Sequence, residues 1–576
     1  MSLNRIGWCL GVGLFLLLLQ WSLAPVLGAE TDIWWHLAAG QRLWQHGLEL
    51  RDPYSFTEAQ QHWVRIDWLF QALLYPVYRL AGWNGLILLR SAVLLGAAAL
   101  VAVPLWGRRP AEIWLLVMLT SSIWCESVSF RPATVSFLLT ALWVLLLERA
   151  RSGQTRALWL LPPVMVVWFN LHVAALAGLL LLGLYAVGQG LEGWRQGRKS
   201  DWLWWKVLPL CTLAPFCNPQ GWEAVYYPIH FLLVKTIWRD IILEVQAPRW
   251  DWAGTWQAWL LLAFSILGAL GRARRGELTP LLVTLACGWL MTHTYRHQFQ
   301  LCSALTPWIA LRLPAAAETV CSLLSVVLGL PALVGLLCLR WPLQGLIRRE
   351  SFNETAALLA AAGPNELRVF TDMNAAGYYL WNFQGRQKVF LDSRGDQVYR
   401  RTELIQDYFA ILAGGPAALG QLDRYQVQAV AINRIAYDAP ALSSELRKST
   451  AWTCLYQGLT GEFYCRRELA TVFPKPREPV FLVDYQRGYA FVRQGQPFEA
   501  RGCWLRSLQD YPQFAYAYQS LAGLSRSQGD RAGARRELAR SEFYHPSNAS
   551  LNEDWRRLGV SWPACARAYF LPFWAL

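Results

Sequence analysis

The sequence predicts a mainly α fold: a polytopic membrane helix bundle of about eleven helices, then a small α/β domain and a tetratricopeptide helical repeat pair. Three observations lead to this prediction. Hydrophobic residues make up 55% of the 576 residues and charged residues only 16%, which is too apolar for one soluble domain. Apolar segments of membrane-spanning length recur over residues 1–345. Short β-rich runs follow at 350–470, and a 34-residue period follows at 480–560.

The predicted spans begin with Ile6–Leu27, since about 20 apolar residues cross the hydrocarbon of a bilayer. The length of this run favours a retained helix over a cleaved signal peptide. The other predicted spans are 86–106, 111–125, 132–148, 157–170, 173–191, 203–217, 255–271, 278–292, 299–313 and 319–341.

Basic residues cluster in alternate loops between these spans, near Arg109, Arg151, Arg198 and Arg274. By the positive-inside rule these loops are cytoplasmic. The sequence therefore predicts a multi-pass protein of a bacterial inner membrane, with a cytoplasmic N-terminus and extracytoplasmic C-terminal domains. The net charge of +14 is assigned to topology, so no nucleic-acid partner is expected. The 33 Trp fit belts at the two membrane surfaces, in contact with membrane lipids.

Polar residues gather in the loops that this topology places outside, above all in the first outer loop, 28–85. Ionisable groups at a membrane edge are costly to desolvate, so they indicate a functional site. The alternative is that they are ordinary interfacial loop residues. The candidates are Glu30, Asp32, His36, Asp52, Asp67, Arg131, Asn170, His172, His293, Arg296 and His297.

The predicted α/β domain contains three β-rich runs, beginning at Arg368, Lys388 and Ala429. Two further runs flank a four-residue loop at 458–461 and predict a hairpin. A symmetric register places Cys454 opposite Cys465, which gives either a cross-strand disulfide in an oxidising compartment or two free thiols.

The C-terminal period relates Gly495 to Gly529 and Ala500 to Ala534, each pair 34 residues apart. This spacing is typical of tetratricopeptide repeats, which bind protein partners or act as spacers. The predicted helices are 485–494, 497–510, 514–528 and 531–544.

Several motifs resemble those of bacterial membrane proteins of the GT-C superfamily, whose members look like lipid-linked-sugar glycosyltransferases. The resemblance covers roughly residues 1–410. Its motifs are Asp32-Ile-Trp-Trp-His36, Asp52-Pro-Tyr-Ser-Phe-Thr57, Asp67-Trp-Leu69, Trp168-Phe-Asn170-Leu-His172, Asn218-Pro-Gln-Gly221 and Lys388-Val-Phe-Leu-Asp392-Ser-Arg394.

The resemblance implies transfer of a sugar from a polyprenyl-phosphate donor to an acceptor outside the membrane. A carboxylate just after the first helix is the catalytic residue in such enzymes, which corresponds here to Asp32, with Glu30 beside it. Whether a divalent metal takes part is left open. Arg131 and Arg296 are the candidates for the donor phosphate, because guanidinium groups match phosphate oxygens. The alternatives are a non-catalytic envelope scaffold that recruits partners through its repeats, and an O-antigen polymerase or ligase-like enzyme.

Overall fold

The computed structural model describes two stretches of the chain, residues 32–309 and 366–560. Gaps within them lie at 125–129, 198–200, 235, 251, 253, 384–385, 434–438, 459–460, 474–479, 513 and 545–549. The candidate Glu30 and the predicted spans 6–27 and 319–341 lie outside the described residues.

The described chain is mainly helical with one small sheet, and it divides into two compact units. The first unit contains Gly40–Leu50 and the described residues from Trp63 to Ile309. The second contains the described residues up to Ala39, Arg51–His62 and the chain from Glu366 onward. Two segments of the predicted first outer loop therefore group with the α/β sheet, whereas the sequence alone assigned the whole loop to the membrane domain.

The first unit is a bundle of helices. Their bounds are Trp68–Ala102, Pro110–Trp124, Pro132–Arg151, Leu161–Leu171, Ala175–Arg195, Leu203–Leu213, Trp222–Leu233, Ile237–Ile241, Thr255–Ala273, Thr279–His293 and Tyr295–Leu305. Among the described residues, four helical segments are long and apolar enough to cross a membrane: Trp68–Leu105, Pro132–Arg151, Ala175–Arg195 and Thr255–Ala273. The full set of about eleven spans stays a prediction.

Helices also occupy the predicted outer loops. Asp32–His46 is helical, Trp222–Leu233 lies in the predicted loop 218–254, and the helix expected from residue 86 begins at Trp68. The stretch before Gly82 mixes polar and apolar residues, so a search for uniformly apolar segments does not find it. Gly82 has φ 59° and breaks the helix there, a conformation that glycine adopts without a steric penalty.

Large aromatic side chains and small residues fill the interior of the bundle together. Trp143 and Trp168 are fully buried and meet edge to face, with ring centroids 5.8 Å apart. A Cβ atom at Gly178 would lie 2.7 Å from the Trp168 ring, so only glycine permits this approach. Between helices of this apolar kind, close van der Waals contact at small residues stabilises the packing, so this ring pair against Gly178 is an important contact of the bundle.

The second unit is built on a five-stranded sheet with the order β2-β1-β3-β5-β4. The strands are β1 Arg368–Thr371, β2 Lys388–Val389, β3 Ala429–Asn433, β4 Trp452–Gln457 and β5 Gly461–Arg466. β1 pairs in parallel with β2 and β3, whereas β5 pairs antiparallel with β3 and β4. The helices of this part are Met373–Asn382, Thr402–Ala413, Pro416–Arg424 and Pro440–Lys448.

The predicted hairpin is present, but the predicted pairing of its cysteines is wrong. Next to the loop the symmetric register holds, since Gln457 pairs with Glu462. A β-bulge at Leu455 then shifts the register by one residue, so Cys465 pairs with Thr453. Side chains alternate between the faces of a strand, so this shift separates the two sulfur atoms. Both cysteines are free thiols.

Four helices cover the predicted repeat region: Val480–Arg493, Pro497–Asp510, Ala515–Ser527 and Arg531–Tyr544, followed by Ser550–Arg557. These bounds agree with the predicted helices within a few residues. Ala500 and Ala534, the two alanines of the 34-residue period, are both fully buried. Assignment of these helices to the tetratricopeptide class stays a prediction.

Candidate functional site

Asp32 is the first residue of the Asp32–His46 helix and is partly exposed. Its Oδ1 atom accepts hydrogen bonds from Ser393 Oγ at 2.7 Å and from Trp35 Nε1 at 3.3 Å. The serine follows strand β2, in the motif that ends at Arg394. Two motifs that are 361 residues apart in sequence are therefore in direct contact within the second unit.

The rest of this short motif is buried beneath Asp32. His36 is 2% exposed, and its ring stacks on Trp35 with centroids 3.7 Å apart. Trp34 meets Tyr378 edge to face at 4.8 Å. The start of the helix is thus fixed by aromatic packing, while the Asp32 carboxylate stays within reach of solvent.

Asp52 lies at the centre of a buried network of charges. Its Oδ1 atom is 2.7 Å from Arg394 Nη1, and neither side chain is exposed. Asp392 accepts from Arg394 Nε at 2.8 Å and from the Tyr399 hydroxyl at 2.7 Å. Burial by itself would lower the pKa of Arg394, but the charges of Asp392 and Asp52 outweigh it and hold that pKa well above its usual range.

This network holds the Arg51–His62 segment against the sheet. The Asp52 carboxylate also accepts the backbone N–H groups of Tyr54 and Ser55, which forms a tight turn. Ser55 then pairs in parallel with Val389 of β2, and Phe56 N–H donates to the Val389 carbonyl at 3.2 Å. The contacts of Asp52 therefore fix the Arg51–His62 segment against strand β2.

Three motifs far apart in sequence meet in the first unit. Asn170 Oδ1 accepts from Trp68 Nε1 at 2.6 Å and from Asn218 Nδ2 at 3.1 Å. Asp67 accepts from Gln71 at 3.3 Å. Asp67, Asn170 and Asn218 are all buried. Buried amides and carboxylates of this kind are kept by their hydrogen bonds, so the network fixes the chain that leads into the Trp68–Ala102 helix.

Arg131 and Arg296 converge on one carboxylate, that of Glu244. Arg131 Nη1 lies 3.0 Å from Glu244 Oε1, and Arg296 donates to Oε2 through Nη2 at 2.9 Å and Nε at 3.1 Å. All three side chains are about one-third exposed. The sequence placed both arginines at the same membrane face, and the structure brings them together, with a net charge of +1 across the three groups.

The three candidate histidines of the first unit have separate surroundings. His172 Nδ1 lies 2.8 Å from Ser136 Oγ, which also accepts from Trp168 Nε1 at 3.0 Å. His293 is exposed at the end of its helix, where its ring lies tilted against that of Trp289 with centroids 4.4 Å apart. His297 is partly buried, in the first turn of the Tyr295–Leu305 helix.

Sequence reasoning did not identify four residues that the structure makes prominent. Glu244 holds the arginine pair; the only signal was a lone carboxylate among apolar residues in a predicted outer loop. Ser393 and Arg394 belong to the last motif of the resemblance, but the carboxylates of Asp32 and Asp52 that they contact lie hundreds of residues away in sequence. Arg90 is fully buried within the Trp68–Ala102 helix, where an ionisable group is costly and typically functional.

The described part of the chain contains no ready set of side-chain ligands for a metal ion. There, no group of three or more His, Cys, Asp or Glu side chains lies close enough to hold an ion.

Comparison with known proteins finds similarity to solved membrane enzymes. No family model matches the chain, and neither does any curated protein. The chain is similar to the oligosaccharyltransferase AglB from Archaeoglobus fulgidus in complex with an inhibitory peptide and a dolichol-phosphate. That similarity has 8% identity and a TM-score of 0.47, over 91% of this chain and 86% of that one.

A second similarity is to ArnT from Cupriavidus metallidurans bound to undecaprenyl phosphate. It has 12% identity and a TM-score of 0.46, over 81% of this chain and 99% of that one. The apo form of the Archaeoglobus fulgidus oligosaccharyltransferase is similar over 80% of this chain and 74% of that one, with 8% identity and a TM-score of 0.45.

Proposed function

We propose that this protein is a glycosyltransferase of the GT-C type that transfers a sugar from a polyprenyl-phosphate donor to an acceptor on the extracytoplasmic face of a bacterial inner membrane. The observation that carries the proposal is the convergence of Arg131 and Arg296 on Glu244. Two guanidinium groups around one carboxylate present the geometry that a phosphate oxygen cluster also fits.

In this proposal the arginine pair binds the donor phosphate and stabilises the charge that develops as the sugar leaves. Preorganised cations at the site of developing charge are among the largest contributions to catalysis. Glu244 holds the two guanidinium groups oriented toward one point before the donor binds. His172, His293 and His297 are assigned supporting contacts to the substrates.

Asp32 is assigned the role of general base, which accepts a proton from the acceptor hydroxyl as it attacks the anomeric carbon. Glu30, outside the described residues, is the alternative for this role. The C–O bond to phosphate breaks as the new glycosidic bond forms, and the donor leaves as polyprenyl phosphate. The partial exposure of Asp32, in contrast to the complete burial of Asp52, supports this choice of carboxylate.

The C-terminal helices are assigned a recruiting role toward a protein partner. Their core is formed by residues such as Trp504, Phe514 and Leu521, while Phe498 remains 83% exposed. Stacked helical repeats form extended surfaces that bind other proteins, and Phe498 is a candidate contact residue on this surface.

Binding of undecaprenyl phosphate tests the arginine pair directly. The full-length protein in nanodiscs would be titrated with a photo-crosslinkable undecaprenyl phosphate, and labelling would be quantified. Arg131→Lys and Arg296→Lys should each weaken binding about 10- to 100-fold, because a point charge cannot replace the planar fork. Arg239→Lys, in the same predicted outer loop as Glu244, is the control and should bind like wild type. Equal binding by all three variants would refute the assignment.

A further inference from the structure

The loop that follows strand β2 contains two consecutive residues, and each contacts a carboxylate of the predicted first outer loop. Ser393 donates to Asp32 at 2.7 Å, and Arg394 pairs with Asp52 at 2.7 Å. The loop after β2 therefore contacts both Asp32, which is the proposed base, and Asp52, which holds the Arg51–His62 segment against the sheet.

The stretch itself is held rigidly. Asp392 accepts from the backbone N–H of Arg394 at 3.0 Å and from its Nε and Nη2 atoms at 2.8 and 2.7 Å. The Tyr399 hydroxyl donates to the same carboxylate at 2.7 Å. Since Asp392 and Arg394 are both buried, this network leaves the backbone around Ser393 little freedom.

Asp32 is held from the other side as well. Trp35, one turn along the helix, donates to the same Oδ1 atom, and Trp34 packs edge to face on Tyr378. A catalytic group must stay within about 0.5 Å of its productive position, which requires support from side chains that are themselves fixed. Ser393 meets this requirement, because its neighbours on both sides belong to the buried network.

We infer that Ser393 is a positioning residue for Asp32: its hydroxyl orients the carboxylate for proton acceptance, and the Asp392–Arg394 network fixes the hydroxyl. This inference rests on the proposed function, because it needs Asp32 to be the base. It gives the loop after β2 a part in the reaction, which the sequence alone did not assign to that domain.

The test compares Ser393→Ala with Ser393→Thr in turnover of synthetic undecaprenyl-phosphate glucose, galactose and mannose, with a detergent extract of bacterial cell envelopes as the source of acceptor and release of undecaprenyl phosphate as the readout. Ser393→Ala should lower kcat about 10- to 100-fold, as expected for loss of a hydrogen bond to a charged group, with KM for the donor unchanged. Ser393→Thr keeps the hydroxyl and should restore most of kcat. Thr57→Val removes a hydrogen bond to the Phe390 carbonyl in the same docking region and should leave kcat unchanged.

A double-mutant cycle decides whether Ser393 acts through Asp32. In an Asp32→Asn background, Ser393→Ala should cause no further loss. Wild-type kcat for Ser393→Ala, or an equal loss in both backgrounds, would overturn the inference while Asp32 kept its role. Full activity of Asp32→Asn alone would instead remove the proposed base and the inference with it.

Discussion

Arg394 and Asp52 form an ion pair from which solvent is excluded, with Nη1 and Oδ1 2.7 Å apart and neither side chain exposed. Asp392 is the second carboxylate on the same guanidinium. A buried charge is tolerated only when its partners remain, so the pair ties the Arg51–His62 segment to the sheet.

Removal of this guanidinium should open the docked segment. Arg394→Met leaves the charges of Asp52 and Asp392 buried without compensation, which should cost about 3–5 kcal/mol. Hydrogen exchange at the Phe56 amide, which donates to Val389, reports the free energy of local opening. Arg424→Met breaks the exposed pair with Asp407 and should cost less than about 1 kcal/mol. Similar hydrogen-exchange rates at the Phe56 amide in the two variants would contradict this prediction, because the buried Arg394–Asp52 pair would then stabilise the segment no more than the exposed Arg424–Asp407 pair does.

Asp372 gives the second unit a predicted pH dependence. It follows β1, caps the Met373–Asn382 helix and is 4% exposed. Burial raises the pKa of its carboxyl to about 7, against the opposing hydrogen bonds from the Ala375 and Asn374 amides. The folded state therefore keeps a proton that the unfolded state loses above about pH 4. The contribution of the Asp372 carboxyl to the free energy of unfolding is therefore largest at low pH, and it falls as the pH rises from about 4 to about 7.

Asp372→Asn keeps the helix cap and cannot ionise. The free energy of unfolding of the variant relative to wild type should increase by on the order of 3 kcal/mol from pH 5 to pH 8. Thermal unfolding of full-length protein in detergent at both pH values measures this difference. Glu403→Gln, at an exposed position of the same unit, should follow wild type at both pH values. A constant difference between wild type and Asp372→Asn across this range would contradict the prediction.

Ala534 tests the packing of the C-terminal helices. It is fully buried against a cluster that includes Leu538, Leu551 and Trp555. Ala534→Trp should overpack this contact and cost about 1–3 kcal/mol in unfolding of the C-terminal helices, followed by hydrogen exchange. Ala532→Trp, at an exposed position of the same helix, should change little. The idea fails if both variants behave alike.

Topology follows from the basic clusters of the sequence. Reporters fused after Arg109, Arg156 and Arg275 should lie in the cytoplasm, because the positive-inside rule places their loops there. Reporters after Ala59 and Arg349 should lie outside. A cytoplasmic signal from the fusion after Arg349 would put the α/β sheet on the wrong side for Asp32 to act at the outer face.

Local pattern was enough to predict several elements of the structure. Residues 368–371 and 429–433 are strands, as their β-branched and aromatic content indicated, and the Pro497–Asp510 helix has the predicted bounds. These features depend on side-chain periodicity over a few residues, which a single sequence displays.

Long-range relations could not be read in the same way. Asp52 lies in a polar segment of the sequence, which predicts an exposed side chain. Only the folded chain shows that Asp52 is buried in an ion pair with Arg394. The two arginines were predicted to share a face, but nothing local indicated that Glu244 would join them. The cysteine pairing failed because one extra residue in a strand, Leu455, shifts the register, and no local signal marked that bulge.

Turnover by Asp32→Asn tests the central claim most directly. In proteoliposomes supplied with undecaprenyl-phosphate glucose, galactose and mannose, and with a detergent extract of bacterial cell envelopes as the source of acceptor, wild type should transfer the sugar and release undecaprenyl phosphate. The variant keeps the size and the hydrogen-bond acceptor of Asp32 but cannot take a proton, so the rate should fall about 100- to 10,000-fold while the fold is retained. A variant that releases undecaprenyl phosphate at the wild-type rate would contradict the account, and Asp32 would then be only the first residue of its helix.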